Sequence, residues 1–276
     1  MIKIDENKCI GCGSCASECL PTAIIMKDKK PVVRNRICIE CSHCVSVCPV
    51  DAVEMIDYNK DEVVEYNKAT FDIDPENMLN TIKFRRSIRH FKNKEVEKKK
   101  LDNILEAGRY TPTASNKQAT RYIVLDKELE DIKVMAMKGL HDLAVNHGDK
   151  EPMKSSAVYK KKFEKMYDDY IETGEDMLFY NAPMAIVVVV DESQSGVFAR
   201  IDGGLAASNM ELMANTQGLG MCHIGFFLRA VEFIPKLQEK LGLKEGEAIA
   251  TTVVLGYPDV KYKRGANRKA INVTMK

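Results

Sequence analysis

The pattern of apolar and polar positions predicts a mixture of helices and strands over most of the chain. Apolar residues recur with helical spacing over 78–84 and over 101–107, where we expect Gly108 to end the second helix. Three runs of β-branched and apolar residues, bounded by turn residues, predict buried strands. These runs are 122–125, 185–190 and 251–255. Helices between such strands predict an α+β or α/β sandwich.

Other stretches of the chain suggest its organisation. The segment 129–179 is rich in Met, Tyr and Lys with repeated helical spacing, and we expect it to form a helical lid. Gly203 and Gly204 lie in a further helical pattern, where they mark close packing or close approach to a ligand. Charged and apolar residues are mixed before Pro75, as in a connector. We therefore predict a first domain at 1–58, a connector at 59–74 and a second domain at 75–276.

Two runs of cysteines with the spacing C-x2-C-x2-C-x3-C dominate the first domain. The runs are Cys9, Cys12, Cys15 and Cys19, and Cys38, Cys41, Cys44 and Cys48. Three closely spaced thiolates with a remote fourth suit an iron–sulfur cubane, whereas zinc sites usually take paired ligands. The spacing therefore indicates iron–sulfur clusters, and two structural zinc sites are the alternative. Adding 29 to the residue numbers of the first run gives the second, which indicates a duplicated half-domain.

The cysteine spacing resembles that of bacterial two-cluster ferredoxins, in which the fourth cysteine of each run ligates the other cluster. The resemblance implies two [4Fe–4S] clusters with crossed ligands. One cluster would take Cys9, Cys12, Cys15 and Cys48, and the other would take Cys38, Cys41, Cys44 and Cys19. A domain of about sixty residues buries little apolar surface, so we expect the clusters to hold it together.

Charge and hydropathy limit the classes of partner. The 41 basic and 40 acidic residues are interleaved and give a net charge of +1, so we expect no nucleic-acid partner. The strongly apolar stretch 185–190 is too short to span a membrane and the N-terminus lacks an apolar signal region, so we expect a soluble protein without a membrane partner. Because eight of nine cysteines belong to the two runs, we expect a reducing cytoplasm. The ninth, Cys222, is expected to be a small buried hydrophobe.

An arginine-rich segment is a candidate phosphate site. Arg85, Ser87 and Arg89 alternate, so on extended backbone they would point to one side and could bind phosphate through guanidinium and hydroxyl donors. Taken alone, such a segment is more often a solvated basic turn. The glycines of 218–225 do not have the spacing or context of a dinucleotide-binding motif, so we expect no dinucleotide-binding half.

Four segments read together resemble the nitroreductase family. They are 85–91, 112–118, 218–225 and 255–258, in that order. The likeness covers about Pro75 to Lys276, so the whole chain resembles a ferredoxin–nitroreductase fusion. The implied fold class is α+β, with a small two-cluster ferredoxin-like domain followed by a nitroreductase-type α+β sandwich. The implied assembly is a homodimer with FMN bound at its interface.

The resemblance also implies particular FMN-binding residues. These are Arg85, Arg86, Ser87 and Arg89 at the phosphate and ribityl chain, Asn116 at the flavin ring with Gln118 nearby, the backbone amides of Ile224 and Gly225 beside the flavin N5 and carbonyl oxygens, and Arg264 and Arg268 as a second phosphate clamp. In a shifted alignment Lys269 replaces one of these last arginines. Ala119 and Thr120 stand where the family often has proline and tryptophan, which leaves the substrate preference open. No catalytic residue is assigned.

Clusters pass single electrons, whereas nitro, quinone and activated-alkene substrates need two, and a flavin converts between the two. We therefore expect an iron–sulfur flavoprotein oxidoreductase. An external ferredoxin or iron–sulfur oxidoreductase would supply electrons through both clusters to FMN, and FMN would reduce a small electrophile such as a nitroaromatic or quinone. Two alternatives are direct reduction by NAD(P)H, with the clusters as accessory carriers, and a non-catalytic electron carrier or redox sensor.

Overall fold

The computed structural model describes residues 1–147 and 150–276, which form two compact units. The first unit comprises Met1–Ile73 with Ser115–Lys117, and the second comprises Asp74–Ala114 with Gln118–Lys276. Helices and strands are mixed in both units, so the prediction of the α+β class is confirmed. Among the described residues, no helix is both long and apolar enough to cross a membrane.

The first unit is built from short elements. They are β1 (Ile2–Ile4), α1 (Ser14–Ser17), β2 (Ile24–Lys27), β3 (Lys30–Val33), α2 (His43–Ser46), β4 (Val53–Met55) and α3 (Lys68–Phe71). β1 pairs antiparallel with β4, and β2 pairs antiparallel with β3. Only a small core lies between these strands, with Ile24 and Val53 packed beside Cys15 and Cys44. A core of this size is expected for so short a domain.

The duplication predicted from the cysteine numbering extends to the backbone. Gly11 has a φ of 68° and Glu40, its counterpart in the second run, has a φ of 56°. Gly13 and Ser42 correspond in the same way, with φ values of 81° and 59°. Left-handed backbone costs glycine little but strains other residues. Both ligand loops therefore turn in the same way, although only the first has glycine at these positions.

The second unit is a sheet with helices on both faces. Its elements are α4 (Pro75–Phe84), α5 (Lys98–Arg109), β5 (Thr120–Leu125), α6 (Leu129–His147), α7 (Lys160–Thr173), β6 (Met184–Asp191), α8 (Glu192–Ser195), α9 (Ala199–Thr216), β7 (Gly220–His223), α10 (Gly225–Phe233), α11 (Pro235–Lys240) and β8 (Glu247–Gly256). The strand order is β5-β6-β8-β7, and neighbouring strands are antiparallel. The three predicted strands lie inside β5, β6 and β8, whereas β7 was not predicted as a strand.

Strand β6 separates the two halves of the core. Val187 and Val189 pack in the cluster that also contains side chains of α6, α7 and α10. Ile186 and Val188 pack on the opposite face with side chains of α5 and α9. A strand buried on both faces has no polar alternation, which explains the continuous apolar run of β6.

Two of the expectations for this unit are wrong. Gly108 does not end its helix, because α5 continues to Arg109 and a Cβ at Gly108 would lie 2.6 Å from the Tyr122 hydroxyl oxygen. This glycine allows close packing instead. The segment 129–179 is not a lid, because α6 and α7 bury Leu140 and Phe163 in the core. Residues 148 and 149 of that segment lie outside the described residues.

The adjacent glycines of α9 have different surroundings. A Cβ at Gly203 would lie 2.4 Å from Ala250 Cβ and 2.8 Å from Val190 Cγ1. A Cβ at Gly204 would meet no heavy atom of the described chain within 4 Å. Gly203 therefore lets α9 approach the sheet closely, as the expectation of close packing requires, whereas Gly204 does not.

Substituting each of these glycines by alanine should have opposite effects on stability. We expect Gly203→Ala to lower the free energy of unfolding by about 1–3 kcal/mol, because the added methyl overpacks the interface with the sheet. We expect Gly204→Ala to raise it by about 0.5–1 kcal/mol, because alanine is the better helix former. Urea unfolding of both variants measures the difference. Effects of the same sign and size would contradict the packing role of Gly203.

Candidate functional site

Two cavities in the first unit are lined by cysteine side chains. The first cavity contains the side chains of Cys9, Cys12, Cys15 and Cys48 in its lining. The second contains those of Cys19, Cys38, Cys41 and Cys44. Each cavity therefore takes three cysteines from one run and the fourth from the other, which is the crossed grouping implied by the ferredoxin resemblance. Within 1–147 and 150–276, no three or more His, Cys, Asp or Glu side chains are arranged to hold a single metal ion.

Backbone amides donate hydrogen bonds to the cysteine sulfurs. The Ala23 N–H donates to Cys19 Sγ at 3.1 Å, and the Ala52 N–H donates to Cys48 Sγ at 3.2 Å. In both cases the acceptor is the fourth cysteine of a run and the donor is the amide four residues later. The duplication therefore preserves these hydrogen bonds. Such donors stabilise negative charge on sulfur, which is one of the factors that set the reduction potential of a cluster.

Burial affects the protonation of the deepest thiols. It raises the pKa of Cys15, and it raises the pKa of Cys44 to about 11. Cys12 differs, because hydrogen bonds with Ser14 lower its pKa. The two buried thiols therefore keep their protons at neutral pH unless a bound cation displaces them. Four cysteines around each cavity fit an iron–sulfur cluster, and Glu18 and His43 also line the second cavity.

In the second unit, the arginine-rich segment lies along the edge of the sheet. The Ile88 N–H donates to the Met221 carbonyl at 3.0 Å, and Ser87 forms a parallel bridge with Met221. Farther along, the Lys92 N–H donates to the Tyr257 carbonyl at 2.8 Å. Three of the four segments singled out in the sequence therefore meet here. They are 85–91, 218–225 and 255–258.

Arg85 is neutralised by a carboxylate. Its Nη1 donates to Oε1 of Glu211 on α9 at 2.8 Å, and the Glu211 side chain is only 10% exposed. A carboxylate this buried needs a partner, because an unpaired charge would be strongly destabilising. Arg85 therefore has one of its donors committed to the helix.

Arg86 has an unused donor. Its Nη1 donates to the carbonyls of Arg85 at 2.6 Å and Lys83 at 3.0 Å. Its Nη2 is buried and has no hydrogen-bond partner among the described residues. A Cβ at Gly265, in the C-terminal tail, would lie 3.9 Å from this nitrogen. A buried guanidinium nitrogen without an acceptor is costly, so it is a candidate contact for an anion.

Arg89 is held by neutral groups. Its guanidinium carbon lies 5.7 Å from the centre of the Tyr180 ring. The pKa of Arg89 is raised, chiefly by electrostatic attraction to Cys222 and further by Tyr180, and the Arg89 side chain is hydrogen-bonded to both. Cys222 is buried, as expected, and burial raises the pKa of its thiol, whereas Arg89 and a hydrogen bond with Ser87 act in the opposite direction. No carboxylate of the described residues forms an ion pair with Arg89.

The loop after β7 leads into the N-terminus of α10. The Ile224 N–H donates to the Thr252 carbonyl at 2.9 Å, so this amide continues the pairing of the sheet. The assignment of Ile224 to the flavin stays a prediction. Gly225 begins α10, and a Cβ built on it would meet no described atom within 4 Å. The first amides of α10 have no partner within the helix, so they are candidate donors to an anion.

The Nitroreductase family matches residues 82–257, which are more than half of the chain and include the arginine-rich segment and the whole sheet. The chain belongs to the nitroreductase family. Residues 2–55, which carry both cysteine runs, match a 4Fe-4S dicluster domain. The predicted ferredoxin–nitroreductase fusion is therefore confirmed.

Several known proteins resemble this nitroreductase-family chain. A provisionally named NADH dehydrogenase/NAD(P)H nitroreductase from Archaeoglobus fulgidus is 27% identical over 186 residues, covering 66% of this chain and 86% of that protein. A 4-nitrobenzoate reductase from Pseudomonas putida is 24% identical over 195 residues, covering 63% of this chain and 82% of that protein. The crystal structure of a nitroreductase with bound FMN from Desulfitobacterium hafniense is 26% identical, with a TM-score of 0.54, and the match covers 71% of this chain and 98% of that one.

Asn116 forms its side-chain hydrogen bonds within the first unit. Its Nδ2 donates to the carbonyls of Ile39 and Glu40 at 3.0 Å each, and Ser115–Lys117 packs within the first unit. The amide of Gln118 donates to Thr113 Oγ1 at 3.0 Å. The assignment of Asn116 and Gln118 to the flavin therefore stays a prediction.

The two arginines of the C-terminal tail are exposed. Arg268 donates from Nη1 to the carbonyl of Asn267 at 3.2 Å, a contact within the tail itself. Arg264 precedes Gly265, whose position beside Arg86 brings the tail to the arginine-rich segment. Of the two, Arg264 is therefore the nearer in sequence to that contact. Their role as a second clamp stays a prediction.

Three residues that organise the β7 edge were not predicted from the sequence. They are Glu211, which pairs with Arg85, Tyr180, which contacts Arg89, and Asp176, which holds the loop of Tyr180. No motif marks them, because their partners are remote in sequence. One signal was present for Glu211, which is a charged position among the small and apolar residues of α9.

Proposed function

We propose that this chain is an iron–sulfur flavoprotein oxidoreductase of the cytoplasm, with two [4Fe–4S] clusters in the first unit and FMN at the β7 edge of the second. One observation carries the proposal for the flavin. Arg86 and Arg89 have no carboxylate partner among the described residues, and they lie on the segment that pairs with β7.

The charges of this edge suit a phosphate. Two guanidinium groups without counter-ions, with the Ser87 hydroxyl between them in sequence, offer charge-assisted donors to a dianion. The first turn of α10 beyond Gly225 offers amides for the negative charge of a reduced flavin. The relative from D. hafniense that binds FMN supports the choice of flavin. Arg85 would add less, because Glu211 already holds one of its donors.

The cysteine-lined cavities support two clusters with crossed ligands. One cluster would be held by Cys9, Cys12, Cys15 and Cys48, and the other by Cys38, Cys41, Cys44 and Cys19. The protein would supply the thiolates and the amide donors of Ala23 and Ala52, and the loops would limit access of water to the iron.

A flavin, when bound, combines the single electrons that clusters deliver into the two-electron reductions that small electrophiles require. We propose an external ferredoxin or iron–sulfur oxidoreductase as the donor, because a one-electron donor matches the clusters. The P. putida relative supports a nitroaromatic as the electrophile, with a quinone as a further candidate. The A. fulgidus relative favours a second candidate function, in which NAD(P)H reduces the flavin directly.

We further propose that the chain works as a homodimer. Large apolar side chains are exposed at the start of α9, where Ile201 is 57% and Leu205 is 46% exposed. On α4, Leu79 and Phe84 are also exposed. Exposed apolar side chains in such numbers favour a covering partner, and a second copy of the chain would cover them.

Crossed ligation predicts which cluster depends on Cys19. In the variant Cys19→Ala, we expect the cluster of Cys38, Cys41 and Cys44 to be depleted while the other cluster keeps its iron. Electron paramagnetic resonance spectra that resolve the two reduced clusters provide the measurement, with Cys48→Ala as the reciprocal variant. Loss confined to the cluster of Cys9, Cys12 and Cys15 in Cys19→Ala would overturn the assignment.

The phosphate role of Arg89 predicts a difference between two flavins. Arg89→Ala should weaken FMN binding by about 10- to 100-fold, because a charge-assisted contact of about 1.5–3 kcal/mol is lost. Riboflavin, which has no phosphate, should be affected much less. Titration of flavin fluorescence gives both dissociation constants. Arg109→Ala is the matched control, because Arg109 is exposed and paired with Glu106. If Arg89→Ala weakened the binding of FMN and of riboflavin equally, the result would contradict the phosphate site.

The proposed direction of electron flow predicts the effect of removing the first unit. A chain that begins at Asp74 should still bind FMN and turn over with an artificial flavin reductant, because the second unit has its own core. Ferredoxin-driven reduction of a nitroaromatic should be lost or greatly slowed. Full ferredoxin-driven activity in the well-folded truncation would favour the NAD(P)H alternative.

A further inference from the structure

We infer that Tyr180 is a positioning residue for the phosphate site, because it orients Arg89 without cancelling the charge of that guanidinium. The inference rests on the proposed function, which assigns FMN to the β7 edge. It adds a residue that lies outside all four segments singled out in the sequence.

The partners of Arg85 and Arg89 show the difference between neutralising an arginine and orienting it. Glu211 accepts a hydrogen bond from Arg85 and cancels its charge. Tyr180 instead presents its ring to Arg89, with 5.7 Å between the guanidinium carbon and the ring centre. An aromatic ring attracts a cation without carrying a counter-charge. Arg89 therefore keeps its charge.

The geometry of the contact also preserves hydrogen bonds. The five N–H donors of a guanidinium lie in its plane and form the fork that matches a phosphate. The Tyr180 hydroxyl and the Cys222 sulfur can each take one of the five donors, so donors remain for an anion and the charge is not cancelled. A carboxylate takes one or two donors and also cancels the charge. An arginine side chain has high rotamer entropy, so a contact that restricts it before the ligand arrives lowers the entropy lost on binding.

Tyr180 is itself held in a fixed loop. Tyr180 has a φ of 58° and Asn181 has a φ of 51°, both in the left-handed region that non-glycine residues adopt at a cost. Asp176 offsets this cost. Its Oδ1 accepts hydrogen bonds from the amides of Leu178 at 3.0 Å and Phe179 at 2.7 Å, and its Oδ2 accepts one from the amide of Asn181 at 3.0 Å.

The carboxylate of Asp176 is fully buried and is stabilised from the α6 side. Lys133 Nζ lies 3.3 Å from Asp176 Oδ2, and the Lys133 side chain is only 7% exposed. Lys133 also pairs with Glu130 at 2.7 Å. The charge that anchors the loop is therefore matched within the loop and α6, and it does not neutralise Arg89.

The test compares FMN and riboflavin binding to the full-length chain with and without the Tyr180 ring. Tyr180→Asn removes the ring and suits the left-handed backbone, which asparagine tolerates well. We expect it to weaken FMN binding by about 3- to 10-fold, in line with a cation–π contact at a partly exposed site, and to leave riboflavin binding unchanged. Tyr180→Phe keeps the ring but removes the hydroxyl that is hydrogen-bonded to Arg89, so it should weaken FMN binding less than Tyr180→Asn does. Tyr110→Asn is the control, because the Tyr110 ring contacts Arg109 at 4.7 Å outside the site.

A double-mutant cycle separates positioning from general stability. If Tyr180 acts through Arg89, then Tyr180→Asn should have no further effect on FMN binding in the Arg89→Ala background. Additive losses, or equal losses for both flavins, would overturn the inference, as would unchanged FMN binding in a folded Tyr180→Asn chain. If Tyr180→Asn does not fold, Tyr180→Phe replaces it in the test. The inference would then be overturned if Tyr180→Phe weakened FMN binding as much as Arg89→Ala does.

The same titrations distinguish failure of the inference from failure of the proposed function. Weakened FMN binding in Arg89→Ala, together with unchanged binding in Tyr180→Asn, would overturn only the role of Tyr180. Absence of FMN binding to the parent chain would overturn the proposed function, and the role of Tyr180 with it.

Discussion

The pairing of the arginine-rich segment with β7 is the contact on which the candidate flavin site depends. β7 is bonded to β8 on one side, and the hydrogen bond from the Ile88 amide to the Met221 carbonyl occupies its other side. The approach is so close that a Cβ at Gly220 would lie 2.3 Å from Ile88 Cγ1. Glycine at this position therefore permits the pairing. The pairing in turn brings Ser87 and Arg89 against Cys222, at the strand that leads into α10.

Three arginines of one short segment acquire different roles from their surroundings. Glu211 neutralises Arg85, backbone carbonyls hold one nitrogen of Arg86, and an aromatic ring orients Arg89. Positive charge without a counter-ion is therefore confined to Arg86 and Arg89. The first unit has a related arrangement of sulfur, because thiolates that held a cluster would carry negative charge that iron and the amide donors of Ala23 and Ala52 would offset.

Local chemistry made much of this arrangement predictable. The cysteine runs indicated the residues that line the two cavities, and the β-branched runs indicated β5, β6 and β8, because both signals lie in contiguous sequence. The strand β7 was not predicted, since its glycine serves a contact with Ile88, which is remote in the chain. The packing role of Gly108 was not predictable either, because the Tyr122 hydroxyl that requires a glycine there lies on another element. Glu211 and Tyr180 also act across long separations, and the backbone bond of Ile224 depends on the register of the sheet.

In the proposed route, electrons enter this nitroreductase-family chain through its clusters and leave through its flavin. Rapid mixing of the intact, anaerobically purified chain with reduced ferredoxin tests it most directly, with cluster and flavin absorbance followed in the same experiment. The account predicts that the cluster absorbance falls first, that the flavin absorbance follows, and that a nitroaromatic restores both. Flavin reduction by NAD(P)H at the rate of turnover, with the clusters oxidised throughout, would contradict it.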